Sequence, residues 1–227
     1  MSGKRKSFLL DMTMMFAIHD ALRRELHQIA RATARQTEDP RRVLRSAAGW
    51  QMFKSYLGVH HTCEDDTLWP MMELALTERP DGLALLSALE AEHATIEPLI
   101  GAIDSALVDR EPGPERFGDL TDGLATALVA HLSHEETEGL ALIDATLTEQ
   151  QWASFGQEHG KRLGPEAPRY LPWVLDGLDG ARAQEVLELV PLPLRLAYRD
   201  EWQANYVKLN RWDLDPQPGA PVRAADG

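Results

Sequence analysis

The sequence predicts an all-α protein: an antiparallel up-down four-helix bundle with additional C-terminal helices packed on it. Three observations carry that expectation. Apolar residues recur at spacings of three and four over four long segments, the period of a helix with one buried stripe. The connections between those segments are short and rich in Pro and Gly, which folds consecutive helices back on one another. No convincing alternation of apolar and polar residues marks a strand, and no Asn-Gly pair marks a hairpin.

The first helix is expected from about Asp11 to Ala34, with Met12, Met15, Phe16, His19, Leu22, Leu26 and Ile29 on its inner stripe. Thr37 to Pro40 connects it to a second helix over roughly Arg41 to Ala75, whose inner face carries Trp50, Phe53, Leu57, His60, Glu64 and Leu68. Pro70 is expected to bend or break that helix, because it lacks an N–H and its ring crowds the preceding turn. Thr77 to Gly82 reads as a turn. The third helix runs to about Leu107 with Leu86, Leu89, His93, Ile96 and Ile100 inside. Glu111-Pro112-Gly113-Pro114 is a linker. The fourth helix, about Glu115 to Leu147, carries Leu120, Leu124, Leu128, His131, Glu135 and Leu142.

Residues 1–147 therefore make up the expected bundle and 148–212 a helical extension. The Pro-, Gly- and Ala-rich stretch 213–227 is expected to be a disordered tail. Four of the six tryptophans, Trp152, Trp173, Trp202 and Trp212, fall in the extension. Rings of that size need burial, so the extension is expected to pack on the bundle. Arg195, Tyr198, Trp202 and Tyr206 recur at helical spacing. Either they line a pocket for an organic substrate under a roof formed by the extension, or their helix buries its apolar face.

A formal charge of −13 argues against nucleic-acid or anionic-membrane partners, which need basic patches. No apolar run reaches the ~20 residues of a membrane span. Phe8-Leu9-Leu10 is cut short by Asp11, too soon for a signal-peptide core. The single Cys63 excludes a disulfide within the chain. The expected location is cytoplasmic.

The chemistry lies in the histidines. His19, His60, His93 and His131 each sit on the inward stripe of a different helix, and three of them have a carboxylate four residues later: Glu64, Glu97 and Glu135. That spacing places both side chains on one helix face, a turn apart. Alone, each His is a hydrogen-bonded core residue and each His-x-x-x-Glu a surface ion pair. Four converging helices would instead bury several ionisable groups together, at a cost of several kcal/mol per ion without partners. A cation resolves that cost, and mixed nitrogen and oxygen donors suit iron, manganese or zinc. A purely structural polar core is the competing reading.

The order of these motifs is specific. His19, then His60-His61-Thr62-Cys63-Glu64-Asp65 followed by Leu68-Trp69-Pro70, then Glu92-His93, then His131-Leu132-Ser133-His134-Glu135-Glu136 resembles the signature of hemerythrin-like (HHE cation-binding) domains over residues 11 to 147. The resemblance implies an antiparallel bundle holding a non-haem di-iron site. It implies Glu64 and Glu135 as bridges, His19 and His60 on one iron, and His93 and His131 on the other. The choice of two irons over manganese or zinc rests on this resemblance alone.

Two departures stand out. Oxygen-carrying hemerythrins place a second histidine one turn after the third-helix histidine, where this chain has Glu97 followed by Pro98, which disfavours helical geometry at residue 97. It also has His61 beside His60, a candidate for an extra ligand or a supporting donor. A carboxylate at 97 would favour ferric iron and redox chemistry over reversible oxygen carriage. Of the remaining candidates, His134 and Glu136 read as solvated or supporting, Cys63 as a small buried hydrophobe, Arg23 as a surface ion-pair partner, and His27 and His159 as residues outside the pattern. The leading expectation is an oxidoreductase using O2 or peroxide, of the oxidase, oxygenase or peroxidase type. The alternatives are a non-enzymatic binder or sensor of O2, nitric oxide or iron, and a structural helical protein.

Overall fold

The computed structural model describes residues 8–34, 41, 44, 47–108 and 114–212. The basic N-terminus, the connection at Thr37–Pro40, most of the Glu111–Pro114 linker and the tail from Asp213 lie outside the described residues. Among the described residues there is no strand.

Helix α1 spans Thr13–Thr33 and starts where Asp11 Oδ1 accepts the Thr13 N–H at 2.9 Å. Helix α2 (Ala48–Cys63) runs into a π-helical turn, Glu64–Leu68, and on into α3 (Trp69–Ala75). Helix α4 is Pro80–Val108. Helix α5 (Pro114–His134) enters a second π-helical turn, Glu135–Gly139, and continues as α6 (Leu140–Thr146). Neither proline breaks its helix. Pro70 falls in the first turn of α3, where the π turn has already moved the Trp69 N–H onto the carbonyl of Glu64, so the ladder is interrupted there in any case. Pro98 lies inside α4, which passes through it.

Two apolar clusters fill the interior. One contains Leu22, Leu57, Ile96 and Leu128; the other contains Met15, Leu68, Leu89 and Leu140. On α2 and α4 the buried histidine lies between them in sequence, and on α1 and α5 it lies within the first cluster, next to its border with the second. Along α1 the chain passes from the second cluster to the first, along α2 back again, along α4 forward, and along α5 back. A polar layer therefore separates two greasy ends.

The C-terminal segment packs onto this assembly. Helix α7 (Glu149–Leu163) opens with a capping box between Thr148 and Gln151 and lies against α2. Arg162 ties it to the end of α2 through Thr62 O at 2.8 Å and to the first π turn through Asp66 Oδ2 at 2.9 Å. A 3-10 turn leads to α8 (Ala167–Leu175), then α9 (Gly180–Leu189); both pack on α1. Short helices α10 (Leu192–Ala197) and α11 (Gln203–Lys208) flank a third π turn. Gly177, at φ 80°, turns the chain between α8 and α9.

The end of the segment is clamped. The carboxylate of fully buried Glu25 on α1 accepts from Arg211 at 2.7 and 2.8 Å and from the Trp212 indole N–H at 2.7 Å. Gly49 N–H donates to Arg211 O at 2.8 Å, and the Trp212 ring lies where a Cβ at Gly49 would stand. Trp173 and Trp212 are buried, while Trp152 and Trp202 are half-buried. No helix among the described residues is long and apolar enough to cross a membrane.

Candidate metal centre

The four long helices each deliver one buried imidazole to the polar layer: His19 from α1, His60 from α2, His93 from α4 and His131 from α5. Glu64 and Glu135, each the first residue of a π turn, enter the same layer with no exposed surface. Such one-turn widenings of a helix recur at functional sites.

His19 Nε2 lies 3.2 Å from His60 Nε2 and 3.2 Å from Glu135 Oε2. His93 Nε2 lies 3.1 Å from His131 Nε2. Glu64 faces both pairs, with Oε1 3.4 Å from His60 Nε2 and Oε2 3.6 Å from His93 Nε2. Glu135 Oε2 is also 3.9 Å from His131 Nε2. His61 joins the second pair, its ring stacked on His93 at 3.9 Å between centroids. The donors fall into two groups, His19 with His60 and Glu135, and His61 with His93 and His131; within each, one ligand atom per residue lies within 4.8 Å of the others.

The outer nitrogens are engaged differently. His19 Nδ1 meets Glu136 Oε1 at 3.0 Å, His93 Nδ1 meets Asp65 Oδ1 at 2.7 Å, and His131 Nδ1 meets Glu92 Oε2 at 3.0 Å. A carboxylate at Nδ1 fixes the proton there and leaves Nε2 with a lone pair. Nε2 lone pairs would then face one another, or a carboxylate, inside the layer. Glu136 is itself held by Arg23 at 2.6 Å, and Glu92 also accepts from His134 Nδ1 at 2.8 Å.

This arrangement passes a direct test for a cation. Both oxygens of Glu64, Oε1 of Glu135 and His61 Nε2 are buried and have no hydrogen-bond partner, and Glu135 Oε2 meets only imidazoles. Buried polar groups in folded proteins are paired, and unpaired carboxylates are among the costliest exceptions. Converging imidazole nitrogens and carboxylate oxygens are the donor set of iron, manganese and zinc.

The protonation balance of the protein alone shows the same conflict. Burial, then the neighbouring Glu135, pushes the Glu64 carboxyl well above the usual carboxylate range. Burial acts on Glu135 in the same sense, but His19 outweighs it and the net shift is downward. Burial disfavours protonated His19, yet Glu135 and Glu136 raise it to about 9. Burial also opposes charge on Glu136, but His19 and Arg23 bring it down to about 2. Burial, then the surrounding imidazoles, holds His60 and His61 well below the ordinary histidine value.

The structure brings His19, His60, His61, Glu64, His93, His131 and Glu135 together, and it leaves Glu97 out. Glu97 is exposed, because the inward stripe of α4 runs through His93 and Ile96 and leaves residue 97 beyond its edge. A carboxylate at that position therefore does not harden the donor set. Cys63 is buried in the apolar core and His27 is exposed. Of the proposed pocket residues, Tyr206 is buried and donates to Asp176 at 3.2 Å, Arg195 and Tyr198 are half-buried, and Trp202 packs beside a cavity. Asp65 and Glu92 had no assigned role. The signal for Asp65 and Glu136 is an acidic residue directly after each inward Glu. Glu92 stands directly before His93 in its motif, but nothing in the sequence pairs it with His131 and His134, which come from another helix.

Residues 11–143 match the family described as the hemerythrin HHE cation binding domain. Comparison with curated proteins and with solved structures found no match. The matched segment covers more than half of the chain and contains every residue of the two donor groups. The chain therefore belongs to the hemerythrin HHE cation-binding family.

Proposed function

We propose that this chain holds two iron ions between four helices arranged as an antiparallel up-down bundle, and that it is an oxidoreductase acting on O2 or peroxide. The observation that carries this reading is the pair of fully buried carboxylates, Glu64 and Glu135, set between imidazoles from four helices, with both Glu64 oxygens lacking a hydrogen-bond partner. The alternating passage of the helices between the two apolar clusters supports the antiparallel order. In this reading His19 and His60 would hold one ion and His61, His93 and His131 the other, with Glu64 and Glu135 as the carboxylate donors between the two groups.

Iron held by these residues would supply electron exchange with small oxidants. The protein's part is orientation and proton placement. Asp65, Glu92 and Glu136 keep the Nδ1 protons in place and aim each Nε2 inward. Arg23 fixes Glu136 and offsets its charge at the edge of the layer. The apolar clusters on either side keep the side chains of the layer buried.

One observation favours a second reading, reversible binding of O2 or nitric oxide. With His61 in the second group, that ion gains a third imidazole, compensating for the histidine that oxygen carriers place after the third-helix histidine. Metal analysis with the visible spectrum decides the core claim: about two irons per chain with near-ultraviolet oxo-bridge bands are expected, and one zinc or no metal overturns it. Product formation from peroxide or O2 supports the oxidoreductase, whereas a reversible spectral change with no product supports the binder. A cytoplasmic location belongs to the same reading.

A further inference from the structure

Between the bundle and the C-terminal segment lies a cavity of about 810 Å³, within the size range of small-molecule sites. Its wall is apolar, with Met15 and Ile18 from α1, Phe155 from α7, Leu171 from α8, Val190 beyond α9 and Trp202 from the third π turn. At its inner end it reaches His60, one of the two imidazoles in the first donor group. The cavity thus joins the candidate metal centre to a chamber that the extension roofs.

The wall selects against ions. Its buried polar side chains are His60, His159 and Tyr170, with no carboxylate, ammonium or guanidinium among them. The charged residues at its border, Asp11 and Lys161, are exposed and opposite in sign. A charged group drawn inside would lose its hydration without a counter-ion. The Tyr170 hydroxyl and His159 Nε2 have no hydrogen-bond partner, although both side chains are more than nine-tenths buried. The interior therefore suits an apolar body with at most a hydroxyl or carbonyl.

Helix α7 is built to leave this space open. Ala153, Gly156 and Gly160 border the cavity on its exposed side, and a Cβ added at either glycine would meet nothing within 4 Å. Neither glycine has a positive φ. Glycine in a helix interior weakens the helix. Here no close contact and no backbone conformation requires it, and its effect at the exposed border is to leave the way into the cavity without a side chain.

From the cavity, its apolar wall and its inner end at His60, we propose that this chain binds a neutral, apolar organic molecule beside the first donor group. The site would hold the organic partner of the centre. Only its link to iron rests on the proposed function; the binding itself does not. The test uses the full-length protein, metal-free and iron-loaded, titrated with the neutral fluorophore N-phenyl-1-naphthylamine. One probe is expected to bind per chain with enhanced emission in both forms. Gly156→Leu and Gly160→Leu, each adding an apolar side chain at the cavity's exposed border, should weaken binding at least tenfold with no loss of melting temperature. Gly101→Leu, exposed on α4, should leave binding unchanged. 1-Decanol should displace the probe at least tenfold better than decanoate. Absence of probe binding, or binding indifferent to both glycine substitutions, overturns the site. Stronger displacement by decanoate overturns the neutral ligand class. If the protein takes up iron, saturating 1-decanol should shift the visible spectrum in the wild type and not in Gly156→Leu; no shift in the wild type overturns the placement against His60. A chain that holds no iron but passes the titrations refutes the function and leaves the site standing.

Discussion

Replacing Glu64 by Met separates a metal centre from a polar core, because the two readings assign opposite signs to the metal-free protein. Both Glu64 oxygens are buried and without hydrogen-bond partners. An unpaired buried polar atom costs about 1–3 kcal/mol. Met follows a similar linear path, fills the space and removes both acceptors. The metal-free variant should therefore be more stable than the wild type by about 2–3 kcal/mol, or about 5–10 °C in melting temperature for a chain of this size. With iron the order reverses. The wild type should gain about 4 kcal/mol at a free metal concentration a thousandfold above its dissociation constant. The variant, missing the carboxylate that faces both donor groups, should gain little and retain less than one iron per chain. Urea unfolding at neutral pH, with and without metal, measures both quantities. If Glu64 is a structural residue, the metal-free variant loses stability instead; that result, or two irons retained per chain, refutes the reasoning.

Asp65→Ala should lower metal affinity about 10–100-fold by freeing His93 Nδ1, whereas Glu97→Gln, altering an exposed residue, should leave metal content unchanged. Inductively coupled plasma analysis after dialysis against a graded chelator reads both, and equal losses in the two variants would remove the distinction. Gly49→Ala places a Cβ within 2.3 Å of the Trp212 ring and forces the indole off Glu25. Allowing for the better helix propensity of Ala, the net cost should be about 1–3 kcal/mol, with a red shift in tryptophan emission; an unchanged melting temperature would mean that the clamp carries no stability. His159 supplies a pH test. Burial first, then Arg162, brings its imidazole down to about 4. The unfolded chain therefore takes up the proton near pH 6.5 and the folded chain only near 4, so stability is complete above 6.5 and falls as pH drops through that window. The loss should reach about 2 kcal/mol by pH 5. His159→Leu should flatten the pH 7-to-5 difference measured by urea unfolding, and an unaltered slope would assign the acid sensitivity elsewhere.

The four long helices and their inward imidazoles were legible because burial leaves a period. Met15, His19, Leu22 and Leu26 mark α1 as plainly as Leu89, His93 and Ile96 mark α4, and the structure buries all of them. The first and last described turns fall close to the expected ends for the same reason. The π turns were not legible. A period of 3.6 gives no sign of where one extra residue enters, and Pro70 looked like a break when it sits just past such a turn. Glu97 misled through the same rule that found Glu64 and Glu135. A spacing of four places two residues on one face, but the face has a finite width. His93 and Ile96 occupy the centre of the α4 stripe, so residue 97 falls outside it. His60 and His61 are adjacent and about 100° apart on an ideal helix, yet both are buried. His60 meets His19 and Glu64 on one side, and His61 stacks on His93 on the other, so α2 alone contributes to both donor groups.

The supporting carboxylates define the limit more sharply, because they depend on relations between helices. Asp65 follows Glu64 and supports His93 on α4; Glu136 follows Glu135 and supports His19 on α1. In both cases a π turn presents one carboxylate to the interior and the next to a histidine from another helix. The two π turns thus tie α1, α2, α4 and α5 into one layer, so that moving a single carboxylate disturbs two helices. The cavity follows the same logic. Its inner end comes from α2, its open face from two glycines on α7, and its roof from Trp202, residues separated by up to 142 positions. Helical spacing places Trp202 on a face, but only the fold brings it to the same cavity as His60.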